Sequence, residues 1–377
     1  MVFLLLFAVA ILPAIVGRAF FHGITWKEFA LHLAAQAMVA GGSAAIVYYQ
    51  DTGDVEVLNG TVTGKKQERV SCEHSYRCHP YKCNPHNCNR RKCGGTAKNP
   101  SYCYDRCYDT CYETCYDHPY DFDWDVYTSL GQFEISRIDR QGTITPPRWG
   151  ATKVGEPVAR THSYENYVKA SPDSVFRHQG LTEKYQDVLP AYPDQVYDYW
   201  HLKRLVQVGV ALPDADEWNR QLEKINGEVG PKKQVNLIVV VSHKPRDFFY
   251  ALEEFWVGAK KNDAVLVLGL DQTNQIVWAE VMAWTVRKNF EVELEAAVQG
   301  LPLEREPILG LFRSHVIQNY QRKPMKDFEY LTASVVPTTT QWVVSVIIGL
   351  AISIGLMFLF HYHDVFGDEK PTHKRHR

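Results

Sequence analysis

Cysteine is missing from this 377-residue sequence except between Cys72 and Cys115, where all nine cysteines lie. An excess of one charge is missing too: 41 Lys and Arg stand against 43 Asp and Glu, which excludes a broad electrostatic surface for nucleic acid. The charged fraction of 22% and the aromatic fraction of 12% exclude wholesale disorder. Also absent are a glycine-rich phosphate loop and the H-E-x-x-H and G-x-S-x-G motifs, so the sequence leans away from an enzyme.

Three long runs lack charged side chains and indicate membrane helices: residues 1–17, 29–50 and 342–360. A spanning helix needs about 20 apolar residues. The sequence therefore predicts an N-terminal transmembrane hairpin over residues 1–50 and another transmembrane helix over residues 341–361. Two alternatives stay open. The first run also fits a cleaved signal peptide, although it lacks the usual positive n-region, and the second also fits an Ala-rich amphipathic helix.

Basic residues orient these helices. Arg18 and Lys27 lie between the first two runs, and a basic tail of residues 362–377 follows the last. Because basic flanking segments stay in the cytoplasm, residues 51–340 are predicted to lie outside it. Cleavage of the first run would leave two spans and place the same residues in the cytoplasm. The basic residues of the tail are Lys370, Lys374, Arg375 and Arg377.

Small residues recur along the last apolar run. Ser345, Gly349 and Ser353 are four residues apart and so lie on one helix face. Such a face favours close packing on a second membrane helix, and chance occurrence explains the spacing equally well.

The cysteine segment is built from short units, and its last four cysteines begin the tetrads CYDR, CYDT, CYET and CYDH. Disulfides are one interpretation, because an oxidising compartment permits them and a segment with few large aliphatic residues needs cross-links. Zinc is a second interpretation, although no C-x2-C knuckle occurs, and a thiol-redox module is a third. An odd count leaves one cysteine free or intermolecular. The candidates for disulfides or metal ligation in this insert of residues 72–118 are Cys72, Cys78, Cys83, Cys88, Cys93, Cys103, Cys107, Cys111, Cys115, His74, His79, His86 and His118.

The insert interrupts a predicted small antiparallel β-domain of residues 51–140. Residues 55–63 have an extended pattern before it, and residues 120–127 alternate apolar and polar side chains after it. Asp121, Asp123 and Asp125 share one face of the second strand. That face fits calcium binding or, as the favoured explanation, a solvated strand surface.

The remaining chain divides into two parts. Residues 141–212 lack periodicity and are predicted to be an irregular connection, with one helix near residues 182–188.

Residues 213–335 contain two continuous apolar runs, which are typical of strands buried on both faces, and helices alternate with them. Their expected elements are a helix from Asp214 or Asp216 to Asn226 ended by Gly227 and Gly230, strands at 235–241, 264–270 and 276–284, and helices at 246–257, 292–298 and 307–320. The predicted fold class is thus a membrane-anchored α/β protein with an antiparallel β-domain, a Cys-rich insert and an α/β sandwich between transmembrane helices.

Residues 256–263, with the sequence WVGAKKND, run into the second apolar strand and resemble a W-G-x-G-K-K passage of the TPM domain. The resemblance covers residues 213–335, about a third of the chain. It implies a small membrane-anchored α/β sandwich that faces the lumen, periplasm or exterior, in a family whose members include proposed phosphatases, divalent-metal binders and assembly or repair factors. The sequence departs from the family at residues 282–289, MAWTVRKN, where the family has a glycine-rich passage.

The whole chain also resembles predicted membrane proteins of tailed phages and bacteria that have no assigned activity. The resemblance rests on the motifs RQG at 140–142, PPRW at 146–149, GEP at 155–157 and HSYENY at 162–167. It implies no particular reaction.

Polar residues follow the apolar strands and define a candidate ligand site. In open α/β sheets, ligands bind beyond the carboxyl ends of the strands. His243, Lys244, Arg246 and Asp247 follow the first strand, and Asp271 follows the second. The basic pair at a helix N-terminus suits an anion, and the histidine or Asp271 suits a cation. Structural explanations also stand, because Asp is common in tight turns and beside helix N-termini.

These features favour a membrane-anchored, extracytoplasmic binding or assembly protein. The alternatives are a divalent-metal-dependent phosphatase of the TPM type and a metal-binding or thiol-redox module on the insert. The expected partners are the lipid bilayer and a protein in the membrane, with no nucleic acid. Zinc in the insert is the one expected cofactor.

Overall fold

The computed structural model describes residues 2–20, 24–171, 180–363 and 365–366, so the basic residues of the tail lie outside the described part. The helices are α1 (Val2–Ala10), α2 (Leu12–Phe20), α3 (Trp26–Thr52), α4 (Pro147–Ala151), α5 (Tyr167–Ala170), α6 (Leu181–Tyr185), α7 (Ala215–Lys233), α8 (Asp247–Phe255), α9 (Asn289–Val298), α10 (Arg305–Asn319) and α11 (Thr339–Tyr362), with a 3-10 helix at Met325–Ser334. The strands are β1 (Gly53–Val70), β2 (Ser75–Gly95), β3 (Pro100–Tyr116), β4 (Asp121–Thr128), β5 (Gly131–Glu134), β6 (Pro157–Glu165), β7 (Val196–Tyr197), β8 (His201–Leu202), β9 (Leu205–Val208), β10 (Asn236–Ser242), β11 (Asp263–Leu270) and β12 (Ile276–Ala283).

The chain forms a mixed α/β structure with two compact units. Unit 2 consists of Gly60–Val158 and Tyr197–His201, and it holds the cysteine segment. Unit 1 consists of Met1–Asn59, Ala159–Val196 and Leu202–Arg377. It holds the apolar helices and the sheet of β9 to β12.

Two helices of unit 1 are long and apolar enough to cross a membrane: Trp26–Thr52 and Thr339–Phe360. They correspond to the second and third apolar runs of the sequence. The first run is divided between α1 and α2, and its apolar helical stretch, Leu6–Val16, is shorter than a span needs. Pro13 lies just after the division and has no N–H to donate to the preceding turn.

The apolar helices pack on one another through small and polar residues. Both α1 and α3 contact α11. A Cβ added at Gly349 of α11 would lie 3.2 Å from Ala10 Cβ of α1, so the two backbones approach closely there. The Ser353 Oγ lies 2.9 Å from His32 Nε2 of α3 in a buried contact. Two members of the predicted small-residue face therefore contact other helices, whereas Ser345 donates to the Gln341 carbonyl of its own helix.

The four-stranded sheet of β9 to β12 in unit 1 is covered by helices on both faces. Its strand order is β12-β11-β10-β9, with β9, β10 and β11 parallel and β12 antiparallel to β11. Alternate residues of β10 point to opposite sides: Val239 packs in the cluster with α7, α9 and α10, and Val240 packs in the cluster with α8. Every residue of β10 and β11 is buried. The continuous apolar runs therefore predicted these two strands correctly, because both faces of each strand are covered.

Three predictions along the chain were wrong in detail. Residues 141–212 are not wholly irregular, since they contain β6, the edge strand of a four-stranded sheet, and β9, which pairs with β10. The helix expected to end at Gly227 and Gly230 continues to Lys233. Gly230 instead allows close packing, because an added Cβ would lie 2.5 Å from Asn59 Cβ. The third correction concerns the cysteine insert, for which no strands were predicted: it forms a long antiparallel hairpin of β2 and β3.

Antiparallel pairing is present in this region as predicted, in a four-stranded sheet of order β5-β4-β1-β6 whose β6 lies beyond residue 140. Trp124, Val126 and Val62 lie in its core, on the face that the alternation along β4 predicted. The opposite acidic side is not simply solvated. Asp121 is fully buried, and both Asp121 and Asp123 accept hydrogen bonds from Arg137.

Candidate functional site

Strands β2 and β3 form one long hairpin, the ladder hairpin (residues 75–116), crossed by four disulfides. The bonds are Cys78–Cys115, Cys83–Cys111, Cys88–Cys107 and Cys93–Cys103. Their Cα–Cα distances of 5.7 to 5.8 Å fall in the ordinary range for disulfides. The disulfide interpretation is confirmed for eight cysteines, and Cys72 is the free one.

The two strands bring their cysteines to one face by different means. In β3 the cysteines recur every four residues, an even spacing that keeps them on one face. In β2 they recur every five residues, which would alternate the faces. His79, Asn84 and Asn89 have φ angles of 42°, 46° and 45°, and the pairing register shifts beside each of them. Each therefore acts as a bulge residue that returns the next cysteine to the same face.

The face of the ladder hairpin opposite the disulfides is aromatic and basic; we call it the tyrosine face. Its β3 side consists of Tyr102, Tyr104, Arg106, Tyr108, Thr110, Tyr112, Thr114 and Tyr116, whose tyrosines are 41–55% exposed. The β2 residues paired with this side include Arg77, Lys82, Asn87 and Lys92. Three cations lie over its rings: Arg77 over Tyr112, Lys82 over Tyr108 and Arg90 over Tyr102.

All acidic residues of the ladder hairpin lie on the disulfide face. Asp105, Asp109 and Glu113 alternate with the cysteines of β3, and each has a basic or histidine partner from β2 on that face. Residues 75–116 are all described, and none of those on the tyrosine face is acidic. The tyrosine face therefore carries positive charge without local neutralisation.

The free thiol lies in a cluster with two histidines and a carboxylate where the chain enters and leaves the ladder hairpin. The Cys72 Sγ is 3.9 Å from His118 Nδ1. The His118 Nδ1 is 3.3 Å from Asp121 Oδ1, and the His74 Nδ1 is 3.9 Å from Asp121 Oδ2. Ligand atoms of Cys72, His74 and Asp121 all lie within 4.8 Å of one another, which is a geometry that could hold a metal ion.

Asp121 is held in place as an anion. Its Oδ2 accepts hydrogen bonds from the Glu73 N–H at 3.1 Å and from Arg137 at 3.0 Å. Burial by itself would raise the pKa of Asp121, but these donors and the Cys72 thiol hold the pKa below its ordinary value. The carboxylate is therefore available as a ligand at neutral pH.

A second group with metal-ligand spacing consists of Cys78, His79 and Cys115. Its two thiols are bonded to each other in a disulfide. Because the thiolate is the metal-binding form of cysteine, this group offers no thiolate ligand while the ladder is oxidised.

The structure describes all five residues that were predicted to form a ligand site at the strand ends. Three of them lie in turns and make hydrogen bonds there to nearby groups. The Asp271 carboxylate accepts hydrogen bonds from the backbone and hydroxyl of Thr273, and these lower its pKa. The His243 Nδ1 lies 3.1 Å from the Leu270 carbonyl oxygen. Lys244 follows on the same loop and uses its backbone N–H for a local turn.

The other two predicted residues pair with different elements. Arg246 forms an ion pair with Glu280 of β12. Asp247 accepts hydrogen bonds from Lys184 and from the Tyr185 hydroxyl, and the pairing with Lys184 lowers its pKa. Of the five residues, the structure brings His243 and Asp271 close enough for the histidine to help lower the pKa of the Asp271 carboxyl, and the others make local or pairwise contacts.

Unit 1 also contains a cleft of about 490 Å³ beside β12 and α9 that the sequence did not predict. Its apolar wall includes Met282 and Trp284, and its polar wall includes Glu291 and Glu295. Burial raises the pKa of both glutamates. No sequence signal marks this cleft, because its lining comes from segments far apart in the chain.

The chain was compared with protein-family models, curated proteins and solved structures, and nothing matches it in any of the three.

Proposed function

We propose that this chain is a membrane-anchored, extracytoplasmic binding protein that presents the tyrosine face to an acidic surface of a partner protein in the membrane. The observation that carries the proposal is the combination of a four-disulfide ladder with two membrane-length helices in one chain. Disulfides of this kind persist in oxidising compartments and are rare in the cytosol.

The flanking charges support the same location. Arg18 lies in the last turn of α2 and Lys27 in the first turn of α3, and by the positive-inside rule this junction belongs on the cytoplasmic side. The chain then leaves the membrane at the end of α3 and re-enters it at the start of α11. The Gln341 side chain donates to Asp51 at 2.8 Å, so these two helix ends are adjacent. Residues 53–338 would therefore lie outside in the proposed arrangement, in which the first apolar run is retained.

The tyrosine face has the composition of a binding surface. Tyrosine and arginine are enriched among the residues that dominate binding energy at protein interfaces. The disulfides hold the hairpin rigid, which lowers the entropy lost when a partner binds. Uncompensated positive charge on this face favours an acidic partner surface.

Location is tested by digesting sealed cells or spheroplasts that carry the full chain with a protease from outside. We expect cleavage within residues 53–338 and an intact mass, before digestion, that is about 8 Da below the fully reduced mass, since each disulfide removes about 2 Da. Protection of this region in sealed cells, or a fully reduced mass, would overturn the proposed location.

Partner chemistry is tested with poly-glutamate as an acidic protein probe on the purified full chain. The double variant Lys82→Glu with Arg106→Glu should weaken binding at least about tenfold, and added salt should weaken it further. Arg91→Glu is the matched control, because Arg91 lies on the disulfide face. Equal effects of the double variant and the control would contradict the proposal, as would tighter binding to dextran sulfate or to an oligonucleotide.

The TPM-like assignment of residues 213–335 stays a proposal. It is supported by the order of helices and strands, which agrees with the fold that the resemblance implies. The separate contacts of the strand-end residues do not favour the phosphatase alternative.

We propose, as a second candidate function, that the insert binds a metal ion outside the ladder. The observation that favours it is the cluster around Cys72, since the other eight thiols are consumed in disulfides.

A further inference from the structure

We infer that Cys72, His74, His118 and Asp121 form a tetrahedral zinc site that joins the two ends of the ladder hairpin. This inference rests on the metal-binding candidate and specifies its ligands, its metal and its role. It does not depend on the partner of the tyrosine face.

The donor atoms are spaced for one ion. Zinc lies about 2.3 Å from a thiolate and about 2.0 Å from a histidine nitrogen or a carboxylate oxygen, so tetrahedral ligand atoms lie about 3–4 Å apart. One ligand atom each of Cys72, His74 and Asp121 lie within 4.8 Å of one another. His118 Nδ1 lies 3.9 Å from the Cys72 Sγ and 3.3 Å from Asp121 Oδ1, whereas His74 Nδ1 lies 3.9 Å from the other carboxylate oxygen, Oδ2. Small side-chain movements therefore suffice to place the ion among them.

Two buried polar atoms in the cluster lack hydrogen-bond partners. They are Asp121 Oδ1, on a residue with no exposed surface, and His74 Nδ1. Buried polar atoms are nearly always satisfied in native structures, so unsatisfied ones call for an occupant. A cation bound to their lone pairs would satisfy both atoms.

The donor set selects the metal. A thiolate with two imidazoles and a carboxylate suits zinc, whereas calcium and magnesium take oxygen ligands. The Glu73 N–H and Arg137 already donate to Asp121 Oδ2, which leaves Oδ1, 3.3 Å from His118 Nδ1, free to bind the ion. Four protein ligands leave no open position, so the site is structural and not catalytic.

The positions of the ligands explain what zinc would do. Cys72 and His74 precede β2, and His118 and Asp121 follow β3. The disulfide nearest to this end is Cys78–Cys115, so zinc would add a fifth cross-link at the base of the ladder. The odd cysteine of the insert thereby acquires a function that requires no second chain, in keeping with its burial.

The test uses the purified full chain in detergent, prepared without chelators and analysed for metal content. We expect about one zinc per chain, and substitution with cobalt should give the thiolate-to-cobalt charge-transfer band and the visible bands of tetrahedral cobalt. Cys72→Ser should abolish the charge-transfer band, and Asp121→Asn should lower zinc content. His79→Ala is the matched control, since this insert histidine lies next to an oxidised cysteine pair, and it should keep both signals.

A wild-type chain that takes up neither zinc nor cobalt after dialysis against either ion overturns the inference, as does equal metal loss in Cys72→Ser and His79→Ala. A reducible dimer linked through Cys72 also overturns it. Each variant is checked for the mass of four intact disulfides, so that loss of metal is separated from misfolding.

As a measurement independent of variants, alkylation of Cys72 in the wild-type chain should be at least tenfold faster after chelation, and an unchanged rate contradicts the inference. None of these readouts depends on poly-glutamate binding, so failure here leaves the tyrosine-face proposal standing.

Discussion

At the scale of single residues, unit 1 is held together by a buried polar network as well as by its apolar core. Arg204 is 2% exposed and donates to the side-chain oxygens of Asn59 and Asn236 and to the Leu202 carbonyl. Its position in a segment predicted to be irregular gave no hint of burial. A charged side chain in the interior is tolerated only when its donors are satisfied, and here three acceptors converge on it.

Replacing Arg204 with Met should therefore lower the free energy of unfolding by about 2–4 kcal/mol, because the Asn59 and Asn236 oxygens lose the hydrogen bonds that Arg204 donates. The measurement is thermal unfolding of the full chain in detergent. Lys203→Met is the control, because Lys203 is exposed. Similar effects of the two substitutions would contradict the importance of the network.

Asp263 gives a pH-dependent prediction. Burial raises its pKa to about 6, although Asn236, Tyr192 and the Lys260 N–H donate to it. A folded carboxyl with a raised pKa binds a proton more readily than the unfolded one, so its stabilising contribution is present below about pH 4 and is lost as the pH rises through 6. The Tm of the wild-type chain relative to Asp263→Asn should therefore increase as the pH falls from about 7 to about 5. A pH-independent difference would show that the pKa is not raised.

At the scale of elements, local sequence patterns predicted the strands whose two faces are both covered by helices. The apolar runs of β10 and β11 were read correctly, because burial on both faces leaves a continuous signature in the sequence. Strand β9 was missed, since it has only four residues and owes its place to pairing with β10. The bulges of β2 were also missed, because they follow from the disulfide partners supplied by β3.

The β11–β12 pair contains a glycine that its neighbour requires. An added Cβ at Gly269 would lie 1.9 Å from Trp278 Cε2, and the Trp278 indole N–H donates to the Lys244 carbonyl. Gly269→Ala should therefore displace the indole and cost about 1–3 kcal/mol of stability.

The control for this prediction is Gly310→Ala in α10, where an added Cβ meets nothing within 4 Å. A helix interior favours Ala over Gly by about 0.5–1 kcal/mol, so this variant should be neutral or more stable. Thermal unfolding and the tryptophan fluorescence of the full chain compare the two. A Gly269→Ala chain as stable as the control would refute the assigned packing of Trp278.

At the scale of the whole molecule, the apolar helices and the disulfide ladder are consistent with the same cellular location. Helices α3 and α11 meet the length and composition of membrane spans. Disulfides persist in oxidising compartments and are rare in the cytosol. An anchored protein with its folded units outside the cytoplasm satisfies both demands, which is why we favour that arrangement.

Packing of the apolar helices gives the prediction at this scale. Gly349→Leu should separate α1 from α11, because even a Cβ there would lie 3.2 Å from Ala10 Cβ. Close approach at small residues stabilises membrane helix pairs, so we expect a Tm in detergent that is lower by a few degrees, about 1–3 kcal/mol of overpacking. Gly355→Leu in the same helix is the control, since its added Cβ meets nothing within 4 Å. Equal Tm values for the two variants would mean that α1 does not pack on Gly349.

The sequence by itself determined the apolar helices, the two central buried strands and the confinement of every cysteine to one segment, because each of these depends on local hydrophobicity, periodicity or composition. Tertiary structure alone decided which thiols pair and which one remains, since pairing depends on the register between β2 and β3. It also brought Cys72 and His74 to His118 and Asp121, which lie far apart in the sequence. A site of this kind is formed by residues that become neighbours only when the hairpin closes, and no local pattern records that proximity.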